Sequence, residues 1–484
     1  MNVRAISRNV GVALLFVAAF MFLSAIVALI YGLDSSFSPL LLSCILTLTS
    51  GLFPVVFVPR SQSDINTREG LAVILFSWVL ASLFGMMPFA LWGGEFSLIN
   101  SFFESVSGIT TTGATILTNI DILPKGLLFR RSSLHYIGGL GVVLFIMMIL
   151  PSMSTVRLKM SRMEVSDVSK PNYNLKSNQL VKVVLSVYLG LTISLFILLI
   201  LAGMEPFDAI NHAMSTVSTG GFSTKNASIG FYDSRLIEII IMVFMILSSL
   251  HFGLLYSSIV GRNANIFRYP VTKYYLLSIL ICSVVVAANL LLSGSISSVS
   301  DAIFDSFFNV ISLVSSSGFA NCDTSVWPLF SIMILVFLTL QCGCTGSTSG
   351  GLKADRVWML FKATHNQLLK TLHPNAVIQV KYGDNQVVDK NLISSVSLFT
   401  VVYLFIVFVC SLVYAAIGMD FIDAVSSSVT MMGNVGPCFG SVGAASNYSA
   451  IPALGKFVMS IEMIIGRLEI YSVLVVFLLF RKRA

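Results

Sequence analysis

Charged residues are scarce in this 484-residue chain, at 11% of positions, whereas 56% are hydrophobic and the mean hydropathy is +0.90. Soluble globular domains carry charge at about 25% of positions. The chain therefore has too little charge to cover a water-exposed surface, and a soluble protein is excluded.

Histidine and paired cysteine are also scarce. Only five histidines occur, none within an HExxH pattern, and the seven cysteines are scattered without a CxxC pair. Cys342 and Cys344 form a CxC inside a glycine-rich stretch, where we expect small packing side chains. No catalytic or metal-type constellation is visible. An intramembrane enzyme is therefore the disfavoured alternative of another functional class.

Long apolar runs dominate what is present. A run of about 20 residues crosses about 30 Å of hydrocarbon at about 1.5 Å per residue. Runs of this length include 10–32, 38–59, 70–92, 181–203 and 392–418. The first follows only Arg4 and Arg8 and lacks a small-residue cleavage site, which favours a retained helix over a cleaved signal. The fold class predicted is an all-α polytopic membrane protein.

The basic residues are distributed unevenly between alternate loops. With a cytoplasmic N-terminus, most of the 29 Lys and Arg lie inside, notably in 157–182 and 353–390. The loops outside would hold only Lys125, Arg130, Arg131, Lys225, Arg235 and Lys456. This asymmetry follows the positive-inside rule and places both termini in the cytoplasm. It also accounts for the net charge of +7 without a nucleic-acid partner.

A short pattern occurs four times, each time between two long apolar segments. An Asn or Asp stands thirteen positions ahead of a glycine in the pairs Asn100/Gly113, Asp208/Gly221, Asp305/Gly318 and Asp423/Gly436. The segment between is too short to cross a bilayer, so we predict a pore helix that enters from outside with the Asn or Asp as its N-cap. The negative end of its dipole would then favour a cation just before the glycine.

The four glycine loops predict a ring of carbonyl oxygens around one axis. Glycine reaches the positive φ angles that such loops require, and carbonyl rings replace an ion's hydration shell in the TVGYG loops of potassium channels. The predicted cation ligands are Thr111, Thr112, Gly113 and Ala114; Thr219, Gly220, Gly221 and Phe222; Ser316, Ser317, Gly318 and Phe319; and Asn434, Val435, Gly436 and Pro437. These segments contain no acidic ring, which argues against a divalent-cation filter. The alternative, an ordinary helix C-cap at each glycine, does not explain four copies in one register.

The pattern divides the chain into four pseudo-symmetric helix–pore loop–helix units around one pore, preceded by two extra helices. We expect ten spanning helices and four pore helices. The boundaries are 1–66 for the two N-terminal helices, then 67–160 (unit 1), 175–268 (unit 2), 270–390 (unit 3) and 391–484 (unit 4).

A glycine-rich run, Gln341–Gly351, interrupts the second long helix of unit 3. The helical stretch from Pro328 to Gln341 would end short of the inner surface, leaving a polar loop beneath the ring that could plug the pore and move aside. The residues assigned to this gating loop are Cys342, Gly343, Thr345, Gly346, Ser347, Gly350, Gly351 and Lys353. The alternatives are an inner loop without a gating role and a phosphate-binding loop, the latter disfavoured because no GKS or GKT follows.

Three charged or titratable residues stand inside apolar helices. Arg467 lies about 24 Å from the outer end of the last span, and a charge at that depth faces a cavity or a partner. Its alternatives are an ion pair with Glu462 or Glu469 and snorkelling to the inner interface. Glu104 and His212 hold equivalent positions in two pore helices. We expect structural hydrogen bonds there, with pairing to each other or attraction of cations as alternatives.

These motifs resemble the Trk/Ktr/HKT superfamily of potassium transporters, in particular its TrkH-type membrane subunits, over essentially the whole chain. The resemblance implies potassium selectivity, because Gly113 stands where some sodium-preferring plant relatives have serine. It implies an intramembrane gating loop and an arginine, here Arg467, that raises the barrier to cations. It also implies a homodimer in the bacterial inner membrane, a cytosolic nucleotide-binding TrkA-like regulatory subunit that docks on the basic inside loops, and no organic cofactor in this chain. A sodium- or proton-coupled potassium symporter remains the runner-up.

Overall fold

The computed structural model describes residues 2–59, 66–149, 177–260, 266–375, 381–382, 386–387, 390–443, 446–468 and 470–479. These residues are mostly helical, with one short antiparallel pair formed by β1 (Lys381–Tyr382) and β2 (Gln386–Val387). The predicted all-α architecture is confirmed.

The helices follow the order expected from the sequence. The N-terminal pair is α1 (Val3–Ile30) and α2 (Phe37–Phe57). Unit 1 holds α3 (Thr67–Gly85), α4 (Met87–Trp92), α5 (Leu98–Ile109) and α6 (Lys125–Ile149). Unit 2 holds α7 (Ser177–Leu201), α8 (Pro206–Val217), α9 (Arg235–Ser249) and α10 (Phe252–Ile259).

The last two units contain the remaining helices. Unit 3 holds α11 (Pro270–Leu292), α12 (Val299–Val314), α13 (Leu329–Gln341) and α14 (Ala354–Leu372). Unit 4 holds α15 (Lys390–Ala416), α16 (Phe421–Gly433), α17 (Ala453–Leu468) and α18 (Ile470–Leu479). Short 3₁₀ turns lie at Ser228–Tyr232, Ile266–Arg268 and Thr324–Val326.

The two N-terminal helices pack against each other and against α3 and α6. Their closest approach is at a glycine pair: a Cβ built on Gly11 would lie 2.7 Å from the carbonyl oxygen of Gly51. Small residues allow helix backbones to approach closely in a bilayer, where no hydrophobic force drives association. Large apolar side chains such as Phe53 and Phe57 point outward. The pair is therefore packed as a membrane-embedded hairpin.

The ten predicted spans fall into two groups. Six described helical segments are long and apolar enough to cross a bilayer: Val3–Ile30, Phe37–Phe57, Arg68–Trp92, Val181–Leu201, Pro270–Leu292 and Asn391–Ala416. They are the N-terminal pair and the first long helix of each unit. The second long helix of each unit is polar, bent or interrupted. In unit 2, for example, α9 and α10 meet at 108°.

The second helices depart from the apolar pattern because they carry polar groups into the interior. The structure places Arg130 and Arg131 within α6, where both are buried, rather than in an outer loop as predicted. Lys456 lies in the first turn of α17 and is also buried. Hydropathy alone misplaced these residues because a partner inside the protein compensates part of the cost of burying a charge.

The four pore helices are α5, α8, α12 and α16. Each contacts the second long helix of the preceding unit: α8 packs on α6, α12 on α9, α16 on α13, and α5 on α17. The last of these contacts joins unit 4 back to unit 1. The packing is therefore cyclic, and it holds four helix C-termini around one centre.

Candidate ion-conduction site

Each pore helix ends in the same way. The second residue before the filter glycine adopts the left-handed conformation, at Thr111 (φ 55°), Thr219 (φ 55°), Ser316 (φ 57°) and Asn434 (φ 53°). The following N–H groups reach back into the helix in the bonds Thr112 N to Ser107 O, Gly220 N to Ser215 O, Ser317 N to Ser312 O and Val435 N to Thr430 O, at 2.8–3.0 Å. This is a Schellman motif, which normally uses glycine at the left-handed position. Four non-glycine residues there mark stored backbone strain.

The four filter glycines form a closed ring. Their φ angles are 82° at Gly113, 82° at Gly221, 71° at Gly318 and 93° at Gly436. A Cβ built on each would lie against a carbonyl oxygen of the next loop: Gly113 against Gly220 at 2.1 Å, Gly221 against Ser317 at 2.2 Å, Gly318 against Val435 at 2.1 Å, and Gly436 against Thr112 at 2.2 Å. Both the backbone conformation and the neighbouring loop therefore require glycine.

A single cavity of about 200 Å³ opens above this ring, and all four glycines line it. Ala114 and Pro437 of the predicted segments also border it, as does Phe222. Two of the predicted carbonyl ligands have protein partners: Phe319 O accepts from Ser312 Oγ at 2.6 Å, and Gly436 O from Tyr448 Oη at 2.8 Å. The structure thus brings the four segments together around one opening.

The predicted helix caps need correction. The N-cap residues are Ser97, Glu205, Ser298 and Asp420, each upstream of the Asn or Asp identified from the sequence. Asn100, Asp208 and Asp423 instead lie in the first turn. Their side chains are used elsewhere: Asp208 accepts from Thr224 at 2.8 Å, and Asp423 accepts from the Ser441 N–H at 2.9 Å. These acids brace the chain that returns from the filter, which explains their fixed distance from the glycine.

A buried ion pair lies behind the loops of units 1 and 2. Arg131 Nε donates to Glu104 Oε1 at 2.8 Å, and the two side chains are 1% and 0% exposed. The guanidinium also lies 4.0 Å from the ring centre of Phe222 and donates to Ser223 O at 3.1 Å. Glu104 accepts from the Ile116 N–H at 3.1 Å. The pair therefore ties the outgoing strand of loop 1 to that of loop 2.

His212 has the equivalent position in unit 2, and it does not face Glu104. Its Nε2 lies 2.9 Å from Ser223 Oγ and its Nδ1 lies 2.8 Å from Asp208 O. Asn309 in unit 3 likewise bonds Asn321 at 2.8 Å. These contacts join each pore helix to its own outgoing strand. The interpretation of Glu104 and His212 as structural hydrogen-bonding residues is confirmed.

The interruption predicted in unit 3 is present. Helix α13 ends at Gln341, and residues 342–353, here called the inner loop, run to the start of α14. The loop is bounded by two left-handed non-glycine residues, Cys342 (φ 54°) and Lys353 (φ 72°). It is held by backbone bonds, among them Cys344 N to Ser249 O at 2.8 Å and Phe252 N to Gly346 O at 3.1 Å. Most of the loop is buried.

The inner loop contacts the ends of three pore helices. Ser349 Oγ lies 2.8 Å from Ser316 Oγ, and the Gly350 N–H donates to Ser316 Oγ at 3.2 Å. Thr348 Oγ1 donates to Val217 O at 3.0 Å. A Cβ built on Gly350 would lie 2.6 Å from Gly433 O. The loop therefore packs directly against the inner side of the glycine ring.

Arg467 is 6% exposed and reaches this loop from α17. Its Nη1 donates to Thr348 O at 2.7 Å, and its Nη2 donates to Gly138 O at 3.1 Å. Glu462, one of the predicted alternative partners, instead accepts hydrogen bonds from Tyr414 and Ser428. Glu469, the other, lies outside the described residues. The arginine thus bridges the inner loop and the second helix of unit 1.

A family model, TrkH, described as "Cation transport protein", matches residues 54–482. The chain belongs to the TrkH family. It is 33% identical over 488 residues to the Trk system potassium uptake protein TrkH of Salmonella typhimurium, covering 99% of both chains. It is 33% identical to TrkG of Escherichia coli over 422 residues, covering 86% of both. The crystal structure of the potassium transporter TrkH from Vibrio parahaemolyticus superposes with a TM-score of 0.88 at 30% identity and covers 98% of both chains.

TrkH family membership confirms a multi-pass membrane protein that transports cations and contradicts the enzyme alternative. Sequence reasoning missed Thr348 and Ser349, the two loop residues with hydrogen bonds to Val217 and Ser316. It also missed Gly138, whose role is only to present a carbonyl to Arg467. Backbone acceptors have no signature in the side-chain pattern, because every residue carries one.

Proposed function

We propose that this protein conducts potassium into the cell through the glycine ring. The observation that carries the proposal is the cyclic contact of the four loops, in which each glycine backs onto a carbonyl of the next loop. Carbonyl oxygens gathered around one axis replace the hydration shell of a monovalent cation. The TrkH and TrkG relatives, named as potassium uptake proteins, support potassium as the cargo.

The predicted filter residues act together in this proposal. An ion enters the outer cavity, loses water among the loop oxygens of Thr111–Ala114 and the three equivalent segments, and leaves toward the cytoplasm. The membrane potential supplies about 2.3 kcal/mol per charge for each 100 mV, so passive conduction accumulates potassium. The closed ring packing of the glycines favours a fixed filter over an ordinary C-cap turn.

The inner loop and Arg467 form the barrier below the filter. The loop is packed against the ends of three pore helices, and the guanidinium places a positive charge at the loop backbone. A cation leaving the filter meets both. Opening requires the loop to move away from Ser316 and from Arg467.

The partners proposed are a second copy of the chain and a cytosolic nucleotide-binding TrkA-like subunit. Helix α14 leaves the inner loop directly and exposes Phe361, Leu368 and Leu372. Movement of a partner bound there would reach the loop through Lys353 and Ala354. Of the other basic inner segment, 157–182, residues 157–176 lie outside the described residues. The basic inside loops support an inner-membrane protein with both termini cytoplasmic.

Flux measurements test this function. The purified full-length protein in liposomes should carry potassium down its gradient and generate a potential, with a higher permeability for potassium than for sodium. Removing sodium on both sides, or collapsing the pH gradient, should leave the flux intact. A flux that stops without sodium or without a proton gradient would replace the channel by the coupled symporter.

A further inference from the structure

The side chains on the inner side of the glycine ring form a set of oxygens that the filter argument has not used. They belong to the four left-handed residues Thr111, Thr219, Ser316 and Asn434. Each is at most 1% exposed. Three carry a hydroxyl and one an amide, and all four leave their pore helix at the same point of the same motif.

Two of these oxygens lack a protein partner. Among the described residues, Thr111 Oγ1 and Asn434 Oδ1 are buried without a hydrogen bond. An unpaired buried acceptor costs about 1–3 kcal/mol. Asn434 is otherwise fixed, because its Nδ2 donates to Thr112 Oγ1 at 3.1 Å and to Met463 O at 2.9 Å. Its Oδ1 therefore points away from both, toward the inner loop, where a Cβ on Gly350 would meet it at 2.9 Å.

The third oxygen is engaged by the inner loop. Ser316 Oγ accepts the Gly350 N–H at 3.2 Å and shares a hydrogen bond of 2.8 Å with Ser349 Oγ. A hydroxyl has two lone pairs and one proton, so at least one lone pair is occupied by the loop. The Gly350 N–H also brings the positive end of its dipole to this side of the ring. Thr219 Oγ1 donates to Ser218 O at 2.7 Å and keeps its lone pairs.

We propose that these four side chains form an inner monovalent-cation site, and that the closed inner loop and the cation compete for Ser316. The inference rests on the proposed conduction of potassium and adds a coupling to it. When the loop is closed, the site lacks one oxygen and faces an N–H group. When a cation occupies the complete site, Ser316 is unavailable to the loop. Cation binding therefore favours opening, and by linkage opening strengthens cation binding by the same factor.

Hydrogen exchange of the loop tests this coupling without relying on flux. The full-length protein in lipid nanodiscs would be compared in potassium chloride and in N-methyl-D-glucamine chloride at equal ionic strength. The peptide containing Gly350 should exchange at least about threefold faster in potassium. In Ser316→Ala, exchange without potassium should be about five- to thirty-fold faster than in the wild type, as expected for the loss of two hydrogen bonds. The potassium dependence should largely disappear.

Two further variants make the test specific. Ser349→Ala alters the loop side only, leaves the filter chemistry intact, and should also weaken the potassium dependence. Ser315→Ala is the matched control, because the Ser315 hydroxyl bonds Ser312 O and Ser317 Oγ and not the loop. It should retain the potassium dependence. Potassium-independent exchange in a wild-type protein that still conducts potassium would overturn the coupling. A wild-type protein without potassium flux would instead overturn the proposed function.

Discussion

The outer and inner halves of the pore are built on different rules. On the outer side, four loops share one backbone conformation, with φ between 53° and 57° at the left-handed residue and a glycine two positions later in each. On the inner side, only unit 3 breaks its second helix into a loop, and only unit 4 supplies a buried arginine to it. Ion coordination needs equivalent oxygens on all sides, whereas a barrier needs one obstruction. The fourfold pattern is kept where the ion is recognised and lost where its passage is controlled.

Deleting Gly346–Gly350 should have the largest effect, because it removes the asymmetric element and leaves the ring. Hydrogen bonds that hold the loop, to Val217, Ser316 and Arg467, are lost. At about 1 kcal/mol each, these four bonds correspond to a flux increase of roughly a hundredfold or more. Liposome flux normalised to folded protein measures it. The potassium-to-sodium permeability ratio should stay unchanged, and a low flux from folded protein would show that the loop is not the barrier.

Arg131→Met should destabilise the outer half by about 3 kcal/mol, because it leaves Glu104 buried without its countercharge. A lower thermal unfolding temperature of the purified protein is the expected result. The double variant Glu104→Gln, Arg131→Met should recover most of the loss, since no charge then remains unpaired. If the double variant is as unstable as the single one, packing of Arg131 on Phe222 dominates over the ion pair.

Arg467→Ala should raise conductance about thirtyfold. A charge at about 8 Å repels a cation by about 2 kcal/mol at an effective dielectric constant of about 20, and each 1.4 kcal/mol is about tenfold. Arg467→Lys keeps the charge but cannot donate to Thr348 O and Gly138 O with one planar fork, so its conductance should lie between the two. Normalised flux equal to wild type in Arg467→Ala would leave this arginine with a structural role only.

Gly113→Ser should lower the potassium-to-sodium permeability ratio about tenfold, because a Cβ at φ 82° would press on the Gly220 carbonyl. Reversal potentials measure the ratio. The matched control is Gly203→Ser, which has φ 95° and nothing within 4 Å of the added atom. It imposes the same kind of backbone strain outside the ring. An unchanged ratio in Gly113→Ser would remove this glycine from the filter.

The sequence predicted the parts that depend on residue spacing. The four glycines, the end of α13 at Gln341 and the helical class follow from glycine conformation and hydropathy. It failed where tertiary contacts decide. The helix caps lie upstream of Asn100 and Asp208, because these side chains bond the outgoing strand or its neighbours instead. The carbonyl partners of Arg467 could not be inferred from residue types, and the unit boundaries stay a prediction.

The cyclic contact of the glycines also has a consequence for how such a pore changes over generations. In a pore made of four identical chains, every substitution appears four times around the axis. Here the four quarters are separate stretches of one gene, so a mutation alters a single quarter and leaves three intact. Asn434 and Pro437 occupy positions where the other loops carry hydroxyl and apolar residues. One chain thus allows a filter to acquire specialised quarters by single steps, while the ring contacts restrict each step to residues that the neighbouring loop accepts.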